Sequence, residues 1–450
     1  MCKDFLKILK RPLCIITITI IVILAIAISL LVHFIHHSKK HEVASVGTLN
    51  TTTTNAAITI SNGVTTTTSL KTDMSTTMGI ASTQVTNIPS SMKTTSTMMN
   101  NKVQTSTSNQ SVFSNFNTSL NTGRSNFGSA LLANGQVLVA GGQINSSAVT
   151  SGAEVYTSAG WQFAAPMKIP RGYHTVTAFA NNTKVLAAGS DSTRGQQTAE
   201  VYSVVNNTWT FTSNNMSSPR FAHTATLLAN GQILIAGGSN ASGTSTSACE
   251  LYIPSSNSFI NTANMNTARF YFTSTLLSDG STVLVTGGVN ASNSAISTAE
   301  LYINGSWILI SNSMTQARAL HAAVLLNDGT VLVVGGSGGP GSTYSTAEIY
   351  SATSQKFTAV GSMQYRRAAF TLTLLPSGKV LAIGGTDLTS STYPLICELY
   401  DPVTRTWSNT TMLNHGRDNH QSVLTNTFVL TMGGYDGNNN RLTSSEKYNL

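Results

Sequence analysis

"LLANGQILIAGGSNASGTSTSACELY", residues 227–252, sets two apolar runs on either side of Asn230-Gly231, closes the second on Gly237-Gly238, and resumes with Glu250-Leu251-Tyr252. Asn-Gly between two strand-forming runs is the chemistry of a two-residue hairpin turn. The glycine pair ends the second strand where the backbone needs positive φ or close packing. The string recurs. Glycine pairs fall at 141–142, 237–238, 287–288, 335–336, 384–385 and 433–434, with Gly189-Ser190 in the remaining copy. After them come Glu154, Glu200, Glu250, Glu300, Glu348, Glu398 and Glu446, each two residues before a Tyr. Before them stand Arg124, Arg171, Arg220, Arg269, Arg318, Arg367 and Arg417, at a period of 47–50 residues.

A repeat of that length marks an architecture assembled from one supersecondary unit. Each copy reads as four strands, the third being the Glu-x-Tyr segment and the fourth a stretch around Trp209, Phe259, Trp307, Phe357 or Trp407. So small a sheet cannot bury both of its faces. Seven of them stacked around an axis cover one another, and the ring leaves few exposed edges. The seventh copy runs out at Leu450 before any fourth strand, whereas Phe113 stands eleven residues before Arg124, as Trp209 does before Arg220. The N-terminal segment 113–120 is therefore expected to supply the missing outer strand and close the ring.

This pattern resembles the kelch repeat, the propeller module of the kelch and galactose-oxidase superfamily. The resemblance covers residues 113–450 and implies an all-β, seven-bladed propeller that serves as a binding platform. It departs from the pattern at Gly189-Ser190, and Phe127, Phe272 and Phe370 replace the His found three residues after Arg in the other copies.

The flanking sequence differs in kind. Residues 13–35 run "LCIITITIIVILAIAISLLVHFI" without a formal charge, a length that spans about 34 Å as a helix and crosses a bilayer. Lys3, Lys7, Lys10 and Arg11 precede it, so the tail 1–12 is expected inside and the rest outside or in a lumen. Residues 36–112 are rich in Thr and Ser and almost lack aromatics, the composition of a disordered stalk. The expectation is a single-pass membrane protein whose propeller faces the exterior. Net charge is +8, yet residues 113–450 carry sixteen Lys and Arg against fourteen acids. No basic stripe remains for a phosphate backbone, which excludes nucleic acid.

Residues present in every copy are needed by every copy. Arg171, Arg220, Arg269 and Arg318, with Glu200, Glu250, Glu300 and Glu348, are expected to make structural ion pairs, and Gly237, Gly238, Gly287 and Gly288 structural turns. Function then belongs to the variable loops. Asn145, Asn240 and Asn290 lie in Asn-x-Ser sequons at matching offsets in loops 1, 3 and 4, candidates for glycosylation. Loops 5 to 7 carry no sequon and bring Tyr344, Asp387, Tyr393, Tyr435, Asp436 and Arg441, residue types that anchor interfaces. These are the candidate ligand-binding residues for a protein or glycan partner.

The alternative is a copper radical oxidase on the same scaffold. The resemblance offers Tyr173 and His174 of "RGYHT" as ligands, and a working centre needs a second His, a second Tyr and a Cys crosslinked to Tyr near the axis. Cys249 and Cys397 instead sit in the third strand, in a slot that is Ala or Ser elsewhere. The expectation is a non-catalytic protein with no cofactor and no metal.

Overall fold

The computed structural model describes residues 113–114, 118–192, 195–438 and 440–450. The tail, membrane segment and stalk expected over 1–112 lie outside the described residues, and within those residues no helix is long and apolar enough to cross a membrane. Seven four-stranded antiparallel sheets follow one another along the chain. Six are built in simple order from the innermost strand outward, as in Thr224–Leu227, Ile233–Ala236, Cys249–Ile253 and Ser258–Asn261. The seventh runs Gln421–Leu424, Phe428–Met432 and Ser445–Asn449, and its outer strand is Phe113–Ser114, with Phe113 opposite Tyr448. Each innermost strand packs beside the next, and Gln421–Leu424 returns to Gly128–Leu131, so the ring is closed.

Burial explains why every second strand is so apolar. Ile233–Ala236 and its equivalents are buried at all four positions, because a neighbouring blade covers each face. Leu138 and Ala140 of the first blade pack with Val185 and Ala187 of the second. Val137 and Val139 pack with Leu430 and Met432 of the seventh. Each such aliphatic side chain stabilises the ring by roughly 1.5–3 kcal/mol. Between them they form seven cores, one per blade interface.

One local expectation is corrected. The Asn-Gly hairpin is not a two-residue turn, and at Asp279-Gly280 and Asp328-Gly329 the glycine N–H also closes on the carbonyl three residues back. The Gly231 N–H donates to the Leu228 carbonyl at 2.9 Å, and the Leu228 N–H donates to the Gln232 carbonyl at 2.8 Å. This is a type I turn followed by a left-handed glycine, Gly231 at φ 83°. That geometry demands positive φ only of the glycine, while Asn230 turns its side-chain oxygen onto the Gln232 N–H at 3.0 Å. The innermost strand of this blade starts at Thr224, since Ala222 is held at φ 49°, outside strand geometry.

Candidate functional site

The repeated Arg, Gly and Glu residues and the candidate site share one end of the propeller. Each repeat Arg is buried and paired with the Glu of its own blade at 2.5–3.0 Å. A terminal nitrogen of each also donates to the carbonyl of the first glycine of its blade at 2.7–3.0 Å. The Glu in turn accepts backbone N–H groups of the link that enters the blade, as Glu300 does from Asn266 and Thr267. Desolvation lowers the pKa of Arg269, and the Glu300 charge opposes the shift.

The second glycine then reaches across. Its N–H donates to the carbonyl of the next blade's Arg in all seven positions, from Gly142 to Arg171 around to Gly434 to Arg124, at 2.7–3.1 Å. A side chain at Gly238 (φ 104°) would place a Cβ 2.8 Å from that of His223, which is why glycine is kept there. Ser190 makes the same inter-blade bond without a positive φ, and its loop takes a different course through Gly195.

Three residues after Arg, the His/Phe slot packs beneath the first glycine of the preceding blade. A Cβ on Gly287 would stand 2.7 Å from Cε1 of His321. The Nε2 of His321 meets the hydroxyls of Thr273 and Thr286 at 3.1 and 2.9 Å. Burial pushes His174, His321 and His420 down to about 3, so these rings are neutral packing elements.

Between these layers lies the feature that sequence reasoning missed. Asn126, Tyr173, Ala222, Tyr271, Leu320, Ala369 and Asn419, each two residues after Arg, all adopt φ of 48–54°. Each N–H donates to the carbonyl of the equivalent residue one blade back, and Asn126 closes the circle on Asn419, at 2.9–3.1 Å throughout. The backbone of this collar is saturated by its own hydrogen bonds, so only its side chains are left to face the axial cavity of about 290 Å³ that they line.

Those side chains are unequal. Ala222 is small enough that Tyr173 and Tyr271, on the blades either side of it, meet edge to face with centroids 6.0 Å apart. Phe221 and Phe270 extend the aromatic surface. Burial raises both phenols, so they stand as hydroxyls at neutral pH. On the other side Asn419 donates to Asp418 at 3.0 Å, Asn126 to Gln143 at 3.1 Å, and Gln143 to Asp191 at 3.3 Å. Burial pushes the Asp418 carboxyl up to about 6, opposed by Asn419 and Arg441, and raises Asp191 as well.

The candidates read from loops 5 to 7 divide. Tyr393, Tyr435 and Arg441 come together beside the mouth: the two rings lie edge to face at 6.3 Å, and the Arg441 guanidinium sits 4.7 Å over Tyr435. Tyr344 stands apart, over the structural Arg318 at 5.7 Å. Asp387 and Asp436 spend their carboxylates on their own loops, accepting from the Thr389 and Asn438 N–H groups. Asn145, Asn240 and Asn290 turn their side-chain oxygens onto the backbone N–H two residues on, at 2.9–3.0 Å, in the rim loops.

No Cys among the described residues stands with the Tyr and His residues that line the axial cavity, as the radical copper centre would require. Tyr173, Tyr271 and His174 line the cavity, but Cys249 and Cys397 are buried in the third strands, two strands out from the axis. Among the described residues no three His, Cys, Asp or Glu are grouped to hold a metal.

A kelch motif family model matches residues 318–364, one complete copy of the repeat with Arg318, Gly335-Gly336, Glu348 and Tyr350. No curated protein matches the chain. Among solved structures it resembles a novel fungal alcohol oxidase of the AA5 family in complex with copper, with a TM-score of 0.63 and 17% identity over 76% of each chain. It also resembles YjhT, with a TM-score of 0.50 and 15% identity over 63% of this chain and 96% of that one. Likeness at such identity speaks for fold alone. The matched motif, together with the seven-bladed ring, supports a kelch-type propeller.

Proposed function

We propose that this protein is a non-catalytic recognition module, tethered to a membrane through residues 13–35, raised on the stalk 36–112, and turned outward to bind a protein or glycan partner. The observation that carries the binding role is the axial collar: seven identical backbone sites whose side chains diverge into an aromatic patch and a polar arc. A residue kept for packing recurs from blade to blade, as Arg and Glu do. A position whose backbone is fixed and whose side chains vary is free to be specified by a ligand. The Tyr393–Tyr435–Arg441 stack gives the mouth a rim of the residue types that anchor interfaces.

The test is capture by the full-length protein in detergent, run against extracellular proteins and a glycan array. Tyr173→Ala with Tyr271→Ala should weaken capture at least tenfold while the thermal midpoint stays near the parent. Arg441→Ala should weaken it less. Undiminished capture by the tyrosine variant would remove the mouth from consideration.

A further inference from the structure

We propose that a cleft on the rim, between loop 5 and the link entering the sixth blade, binds a sulfate half-ester carried on a sugar. This names a ligand class within the recognition role above, at a surface separate from the axial mouth, so either can fail alone. The residue before the repeat Arg is Gly, Pro or Ala in six copies, whereas the sixth blade has Arg366 there. A small residue satisfies the fold at that slot, so packing does not ask for this guanidinium. Arg366 is exposed and makes no ion pair among the described residues. It lines a cavity of about 330 Å³ together with Ser342, Thr343, Tyr344 and Ser345.

That wall is held in shape. Loop 5 folds into a hairpin of its own, Ser337–Gly339 against Ser342–Thr343, with Gly341 at φ 66° in the turn. Tyr344 is pinned across it: a Cβ on Gly338 would stand 2.0 Å from the Tyr344 hydroxyl, and the ring lies over Arg318. Loop 6 is tied on by the Leu388 N–H to the Thr343 hydroxyl at 2.8 Å and the Thr343 N–H to the Thr389 hydroxyl at 3.2 Å. The hydroxyls of Ser342 and Ser345 make no bond among the described residues and remain for the cavity. Hydroxyls donate or accept, Arg366 only donates, and no carboxylate lines the cleft. Asp387, the acid on which Arg366 acts, lies outside that lining and gives its oxygens to the Thr389 N–H and the Ser390 hydroxyl.

The guest must therefore bring acceptors and a negative charge. One guanidinium balances the single charge of a sulfate half-ester, whereas a phosphate monoester, at about −1.5 to −2, keeps an unbalanced remainder. A sulfate offers a third oxygen to the serine hydroxyls once two are held by the guanidinium fork; a carboxylate has only the two. Tyr344 apart, the lining is glycine, serine, threonine and arginine, with no apolar slot for the ring of a sulfotyrosine. The carrier is a sugar.

Saturation-transfer NMR titrations on the full-length protein in non-ionic detergent, at about 150 mM salt, test this. The probes are N-acetylglucosamine 6-sulfate, the same sugar unsulfated, its 6-phosphate, and sulfotyrosine amide. The sugar sulfate should bind at least fivefold more tightly than each of the others. Arg366→Gln should weaken it at least tenfold with the thermal midpoint unchanged, and Arg366→Lys, which keeps the charge without the fork, about threefold. Ser342→Ala with Ser345→Ala should also cost about threefold. Lys356→Gln removes an exposed cation from the outer strand of the fifth blade and should change nothing. An equal loss there would reduce the binding to general charge attraction and overturn the proposal. So would equal binding of the unsulfated sugar, the phosphate or sulfotyrosine amide, or binding untouched by Arg366→Gln. Tyr173→Ala with Tyr271→Ala should leave sulfate binding as it is; its loss would put the ligand in the mouth and overturn the cleft.

Discussion

At Arg124 and its six equivalents the side chain never changes, and each makes the same ion pair and the same bond to a glycine carbonyl. Two residues further along, at Asn126 and its equivalents, it is the backbone that never changes, while the side chains are Asn, Tyr, Ala, Tyr, Leu, Ala and Asn. The first layer locks each link onto its own blade, and the second ties each blade to the next by main chain alone. A fold that assigns cohesion to the backbone at the ring lining its axial cavity releases those side chains from structural duty. That is how a sevenfold scaffold acquires a one-sided mouth.

The contrast can be broken most violently at the arginines. Arg269→Met would leave Glu300 buried without its partner, at a cost of about 3–5 kcal/mol, and chemical denaturation should show the whole ring losing stability. Adding Glu300→Leu should restore part of it. If Arg269→Met unfolds at the parental denaturant midpoint, the belt is not the source of cohesion. Leu320→Ala in the collar, by the same measurement, should cost far less.

Acid probes the layer beneath. A histidine held near 3 in the fold against an ordinary 6.5 stabilises through its neutral form. That contribution is whole above pH 6.5 and is lost as pH falls toward 3. At about 1.4 kcal/mol per unit, each ring accounts for several kcal/mol across that window. Replacing His321 and His420 with Phe, the residue other blades use, should flatten the fall in stability between pH 6.5 and 4. The cost at pH 7 should be about 1 kcal/mol per ring for the lost bond to Nε2, since Thr273 still pairs with Thr286 and Thr371 with Ser422. An unchanged acid limb would show that these rings are not what acid attacks.

The smallest effect sharpens the collar itself. Ala222 and Ala369 sit at φ 49° and 52°, where a Cβ is strained. Changing either to Gly should stabilise the domain by about 0.5–1 kcal/mol, whereas Asn126→Gly should give nearly nothing because Asn tolerates that region. Calorimetry that finds Ala222→Gly destabilising would mean the collar needs the methyl more than the relief.

The blades were legible because Arg, the glycine pair and Glu recur at one period, and period needs no knowledge of contacts. Phe113 could be placed by the same count, and Phe113–Ser114 is the outer strand of the seventh sheet. The collar was not legible. Left-handed backbone is written in sequence as Gly or Asn, yet five of its seven positions are Ala, Leu or Tyr, imposed on that conformation by the closed ring of hydrogen bonds. Nor could spacing show that Tyr173 meets Tyr271 across Ala222, since they lie 98 residues apart and touch only because the blade between them is small there. The hairpins were misjudged for a related reason: Asn-Gly suits two turn types, and the choice depends on the neighbouring strands.

The seam of the seventh sheet has a mechanical meaning. The chain enters the propeller at Phe113, so any pull on the segment before it is delivered straight to the outermost strand of the last sheet. There it is resisted by the pairings of Phe113 with Tyr448 and Ser114 with Lys447, and further in by the bridge of Ser119 to Ser444. Tension would unzip that short strand before loading any other blade, leaving the remaining six as an undamaged spring behind a single sacrificial latch.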